Sequence, residues 1–196
     1  MSDQKAYFFL GPNYIRYDTI DDAVDPNYPR ALPGGWINLP FASIDAGVNW
    51  GNGQIYFFSG NRYARVTLAN NNTMDAGYPL DIAGHWPGLT FATIDAAVNL
   101  GNGKVFFFLA DEYVSYDIAA DHVDPGFPRK IAPDWPGLFP PGIDAAVNWG
   151  NGKAYFQNSA GAMKPLRTFS PCRSSITAGI AEISPALSMS LKPWRK

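Results

Sequence analysis

The chain has 196 residues and a formal net charge of −2, with 46% hydrophobic, 15% aromatic and only 16% charged residues. Residues 1–160 carry nine Lys/Arg against sixteen Asp/Glu, an acidic body that argues against nucleic acid as the main partner. No apolar run approaches the ~20 residues of a membrane span, and a single cysteine, Cys172, excludes an intrachain disulfide.

The aromatic share, together with 19 Gly and 17 Pro, points to all-β structure. The N-terminal stretch "MSDQKAYFFLGPNYIRYD" has no basic start followed by an apolar run of signal length. A cytoplasmic or non-classically secreted protein is expected on that ground, with the compartment otherwise open.

In chain order, "AYFFLGPNYIRYD" from Ala6 reads as two strands joined by a turn. "VDPNYP" from Val24 is a Pro/Gly-type turn that confines any strand there to an edge, and "GGWINL" from Gly34 follows it. "IDAGVNWGNGQ" from Ile44 then gives a strand of small residues. It ends in Asn52-Gly53, a dipeptide that predicts a type I′ hairpin with positive φ at both central residues. The series then restarts: "IYFFSGNRYARVT" from Ile55, "MDAGYP" from Met74, "HWPGL" from His85 and "IDAAVNLGNGK" from Ile94. It restarts again with "VFFFLADEYVSYD" from Val105, "VDPGFP" from Val123, "DWPGL" from Asp134 and "IDAAVNWGNGK" from Ile143. "KVFFF" is nearly continuous in apolar residues, so burial on both faces is expected. "YVSYD" alternates, so one wet face is expected.

The small-residue phrase recurs at Ile44, Ile94 and Ile143, steps of 50 and 49 residues. A repeat of this length with three or four strands marks a propeller blade. A sandwich with accidental repetition fits less well, and so does a solenoid. Strands of Ala and Gly suit the place where blades crowd an axis.

The units are read as about 5–43, 44–93, 94–142 and 143–160, followed by a divergent basic tail, 161–196. The tail holds six Lys/Arg against Glu182 alone. Three readings of it stand open: a divergent or disordered terminus, an altered reading frame, and a strand that returns to the first unit. For the last, "SSITAGIAEI" from Ser174 echoes "ASIDAGVNW" from Ala42, and Ile176–Ala181 would supply an innermost strand.

The order of these phrases over roughly residues 5–156 resembles the hemopexin repeat, which builds the four-bladed propellers of hemopexin, vitronectin, the matrix metalloproteinase C-terminal domains, plant seed albumins and fungal lectin relatives. The resemblance implies an all-β, four-bladed hemopexin-like β-propeller. Here the first blade lacks its innermost strand and the last blade is divergent or truncated. The family's disulfide between first and last blades has no counterpart, since Cys172 stands alone. The resemblance also implies a Ca²⁺ or Na⁺ ion in the axial channel. The matching positions are Asp45, Asp95 and Asp144, acting through backbone carbonyls, with a second channel ring at Gly47, Ala97 and Ala146.

The residues themselves supply plainer readings. An Asp at a strand edge can cap backbone N–H groups. His85 and His122 form no metal-ligand spacing and read as surface or turn residues. Tyr7, Phe8, Phe9, Tyr56, Phe57, Phe58, Phe106, Phe107, Phe108, Tyr155 and Phe156 read as blade core. Tyr14, Tyr17, Tyr63, Tyr113 and Tyr116 read mostly as packing, with stacking on a sugar or partner as the alternative. Asn71-Asn72-Thr73 fits a glycosylation acceptor. No catalytic motif stands out. The expectation is a non-enzymatic ligand-binding propeller for a polyamine, heme or carbohydrate. The alternative is an interaction scaffold or homodimer built on an open blade edge.

Overall fold

A computed structural model describes residues 5–138, 142–158, 164–166 and 180–182. The first sheet holds β1 (Lys5–Leu10), β2 (Asn13–Asp18) and the two-residue strands β3 (Ala23–Val24) and β4 (Arg30–Ala31), both paired to β2. The second holds β5 (Ala46–Asn49), β6 (Gln54–Ser59), β7 (Arg62–Thr67), β8 (Thr73–Met74) and β9 (Leu80–Asp81). The third repeats it with β10 (Ala96–Asn99), β11 (Lys104–Leu109), β12 (Glu112–Asp117), β13 (His122–Val123) and β14 (Arg129–Lys130). A single helical turn, Ile131–Asp134, precedes the fourth sheet of β15 (Ala145–Asn148), β16 (Ala154–Gln157) and β17 (Lys164–Leu166). The last described strand, β18 (Ile180–Glu182), returns to pair with β1.

The inner strands close a ring. β5 lies against β10 and β18, and β15 lies against the same two. The four sheets are therefore four blades about one axis. Small residues at Ala46-Gly47, Ala96-Ala97 and Ala145-Ala146 make the crowding possible: five of these six are 5% exposed or less, and Gly47 is buried too.

Between neighbouring blades the core is aromatic. Phe9 of β1 meets Phe57 of β6 at 5.4 Å between ring centroids, Phe58 meets Phe107 of β11 at 5.6 Å, and Phe108 meets Phe156 of β16 at 5.8 Å. One tryptophan wedges each contact: Trp36, Trp86 and Trp135, whose centroids lie 4.8, 5.4 and 5.6 Å from Phe57, Phe107 and Phe156. The phrase "W-P-G-L" is thus the link between blades and also the wedge. Gly35 lets the first wedge enter, because a Cβ there would stand 1.6 Å from the Tyr14 hydroxyl oxygen.

Three expectations are corrected. Asn52 does not take positive φ; Gly51 and Gly53 do, at 90° and 84°. Trp50 N–H closes on the Gln54 carbonyl, so the hairpin is a three-residue Gly-Asn-Gly loop rather than a type I′ turn. The two positive angles required by a type I′ pair occur instead at Asn71 and Asn72. The third strand has no wet face in the third blade: Tyr113, Val114, Ser115 and Tyr116 are all 5% exposed or less, because the next wedge covers one side and the preceding blade the other. The first blade's innermost position is filled, by β18. The segment is Ile180–Glu182, overlapping Ile176–Ala181 only at its end, and it runs parallel to β1 where the other inner strands run antiparallel. The rest of the 161–196 tail, including Cys172, lies outside the described residues except for Lys164–Leu166. There Pro165 sits in an edge strand, as its missing donor requires.

Candidate functional site

Among the described residues, every blade contributes a strand to the inner ring. Its geometry follows from strand parity. Trp50 N–H donates to the Gln54 carbonyl (2.9 Å) and Trp149 N–H to the Lys153 carbonyl (3.0 Å). Along an antiparallel ladder, successive residues turn their peptide groups to opposite edges. Counting back in twos, Val48 and Ala46 face β6, whereas Asn49 and Gly47 face away from their own sheet. By the same register Ala97 and Ala146 turn their peptide groups away from theirs. Among the described residues, the strands that carry these three have no paired strand on that side, so their backbone groups are turned toward the inner edge of each sheet.

An aspartate immediately precedes each of these inner strands. Asp45, Asp95 and Asp144 N–H donate to the carbonyls of Phe58, Phe108 and Gln157. The carboxylates of two reach across their own blade to the second hairpin: Asp45 Oδ2 accepts from Gly60 N–H at 2.6 Å and Asp95 Oδ2 from Ala110 N–H at 2.8 Å. This is the backbone-capping role. The same fifteen-residue step from Asp144 leads to Ser159, outside the described residues. Asp144 Oδ2 is buried and has no partner among the described residues. Burial pushes the Asp95 carboxyl above its ordinary pKa, the Ala110 amide opposes that, and the charges of Asp144 and Asp45 add to it. The three carboxylates therefore share one end of the ring. Among the described residues no three His, Cys, Asp or Glu side chains are grouped to hold a metal.

At the other end of the strands the asparagines stitch blade to blade. Asn99 Nδ2 donates to the carbonyls of Asn49 (3.2 Å) and Trp50 (3.1 Å), and Asn148 Nδ2 to the carbonyl of Asn99 (3.0 Å). Each Oδ1 meanwhile accepts from the glycine two residues on: Gly51, Gly101 and Gly150. One side chain thus closes its own loop and binds the preceding blade. Sequence reasoning missed this role, although its signal was present: Asn at one position in all three copies of the phrase.

Several charged residues are paired within blades. Lys5 binds Asp18 (2.5 Å) and Asp25 (3.0 Å), and Arg16 also binds Asp25. Arg65 with Asp75, and Lys104 with Asp117 and Asp124, repeat the arrangement. Lys5 holds Asp18 down to about 2, helped by the amides of Asp21 and Ile20. His85 is exposed, with Nδ1 3.0 Å from the Asp81 carbonyl oxygen, and His122 is exposed on the edge strand β13. Tyr14, Tyr63, Tyr113 and Tyr116 are buried packing, and Tyr17 is partly exposed against Trp149. Desolvation, with smaller contributions from neighbouring hydroxyls and carboxylates, pushes Tyr14, Tyr17, Tyr63 and Tyr113 up to about 12.

Comparison with known proteins agrees with this geometry. The Hemopexin family model matches residues 44–90 and 94–139, the second and third blades. Vitronectin of Sus scrofa is 37% identical over 65 residues, which are 30% of this chain and 14% of vitronectin. The chain therefore matches only a small part of that relative. A 2S albumin seed protein from Dolichos superposes with a TM-score of 0.71 at 21% identity, covering 88% of this chain and 89% of the albumin. A Cicer arietinum albumin showing hemagglutination gives 0.69 at 22%, covering 89% of each chain. A Cicer arietinum lectin with two metal-binding sites gives 0.69 at 22%, covering 87% of this chain and 88% of the lectin. These likenesses establish the fold.

Proposed function

Because the chain is a hemopexin-like repeat protein, we propose that it is a non-catalytic binding propeller whose axial channel takes a hard cation, Ca²⁺ or Na⁺. The supporting observation is strand parity: the peptide groups of Gly47, Ala97 and Ala146 turn away from their own sheets, and near them the charges of Asp144 and Asp45 add to the burial that raises the proton affinity of Asp95. Oxygen donors of this kind suit hard cations, and a ring of carbonyls can stand in for a hydration shell. The backbone carbonyls of Asp45, Asp95 and Asp144 form the proposed first ring, and those of Gly47, Ala97 and Ala146 the second. The carboxylates serve by their field and by capping the hairpins at Gly60 and Ala110. A lectin of the same fold carries two metal-binding sites, which supports the assignment by analogy of fold.

When bound, the cation supplies a charge that ties strands of separate blades together. Outside the ring, the carboxylates with lowered pKa are each held by a Lys or Arg partner, which favours a structural over a catalytic use of them. Of the candidate ligand classes, a polyamine suits the acidic end of the channel better than heme or a carbohydrate, since it brings the opposite charge.

Thermal unfolding with millimolar Ca²⁺, with Na⁺ alone and in excess EDTA tests the reading. Saturation near a hundred times Kd adds about 2.7 kcal/mol, or about 5–10 °C in Tm for a chain of this size. A drop of that order in EDTA, reversed by Ca²⁺, is expected. One melting curve in all three conditions overturns the proposal.

A further inference from the structure

The first blade differs from the others at its inner edge, and the difference can be stated residue by residue. In the second, third and fourth blades the inner strand is delivered by a hairpin and runs antiparallel over four paired positions. In the first, β18 runs parallel over three: Tyr7 with Ile180, Phe8 with Ala181 and Phe9 with Glu182. The edge that β18 meets nevertheless has the same register as its counterparts, since Lys5–Leu10 aligns with Gln54–Ser59 and Lys104–Leu109.

Transposing the ladder of the second blade puts an antiparallel Ala-Ala-Val-Asn with its residues opposite Phe9, Phe8, Tyr7 and Ala6 in turn. An Asp before it would then cap Gly11 N–H, the counterpart of Gly60 and Ala110. Its Asn would reach the carbonyls of Asn148 and Trp149, as Asn99 reaches Asn49 and Trp50. Among the described residues no side chain donates to the carbonyls of Asn148 or Trp149, and no carboxylate caps Gly11 N–H. Among the described residues the fourth-to-first junction thus shows no counterpart of the stitch found at the second-to-third and third-to-fourth junctions.

We propose that the inner edge of β1 is a strand-accepting site for an extended peptide of the Ile-Asp-Ala-Ala-Val-Asn class, and that Ile180–Glu182 is its exchangeable occupant. The peptide adds by strand augmentation, with backbone bonds to β1 supplying affinity. Asp on Gly11 and Asn on the fourth blade supply specificity, and Ala at the crowded positions supplies fit. The site lies on the opposite side of the ring from the third blade and uses no residue of the proposed cation rings, so its failure leaves the cation reading untouched.

The test uses the full chain and a fluorescently labelled synthetic peptide copying residues 142–150, read by anisotropy. Saturable binding is expected. Replacing the peptide's Asp or Asn by Ala should each weaken it about tenfold, the equivalent of one charge-assisted or well-made hydrogen bond. Ala181→Pro in the full chain withdraws a backbone donor from the resident strand and should tighten peptide binding at least severalfold. Absence of saturable binding to the unmodified chain and to Ala181→Pro overturns the proposal. So does binding of a scrambled peptide, or of the Asp and Asn variants, with the parent's affinity.

Discussion

Asn99 concentrates more of the ring's cohesion than any other polar residue described. Its amide spans two blades and its Oδ1 closes the loop at Gly101. Asn99→Ala removes three bonds and leaves the carbonyls of Asn49 and Trp50 part-buried, so a loss of about 1–3 kcal/mol in urea unfolding is expected. Asn99→Asp should cost at least as much, because it sets an acceptor against two carbonyls. Equal stability of Asn99→Ala and the parent would remove the stitch from the account. At this scale the sequence was half legible. The three aspartates stand out as a recurring position, and the capping of backbone amides that such a position allows is found at Asp45 and Asp95. The asparagines repeated just as strictly, but their partners lie about 50 residues away in another blade, and no local rule points there. His85 and His122 read correctly as surface residues, since nothing in their spacing suggested more.

The blade is built from two devices, an aromatic wedge and an ion-pair clasp. The clasp gives a prediction about acid. Asp18 and Asp25 are held below their ordinary values first by hydrogen bonds from Lys5, with burial opposing, and Asp18 is held down to about 2. A carboxylate with a depressed folded pKa contributes stability above its unfolded pKa and loses it as pH falls through the folded one. Stability should therefore fall between about pH 4 and pH 2, and Lys5→Met should flatten that part of the profile. Denaturant midpoints of both proteins across the range check this; parallel profiles would assign the acid limb to other groups. The elements themselves were legible wherever a period of two or a run of aromatics marked them. The hairpin type was not. Asn-Gly predicts a two-residue turn when taken alone, but the preceding Gly51 shares the loop and takes one of the positive angles, so Asn52 does not need one. The wetness of "YVSYD" was misread for a related reason: alternation reports one covered face, and here the neighbouring blade covers the other as well.

The whole molecule is a ring of four sheets whose last inner strand comes from the far end of the chain. Its class was legible because three near-identical phrases at fixed steps leave few architectures. Its closure was not, because the echo of the inner-strand phrase near Ser174 has lost the Asp and Asn that mark the other copies. What those residues do elsewhere in the ring is what the first blade is proposed to accept from outside. The central proposal is that Gly47, Ala97 and Ala146 bound a channel that holds a hard cation. Anomalous scattering from crystals of the protein grown with Ca²⁺ tests it most directly. A single anomalous peak on the ring axis, within about 2.3–2.6 Å of backbone carbonyls at Asp45, Asp95 and Asp144, is the predicted result. An axis without anomalous density in Ca²⁺-saturated crystals would contradict it.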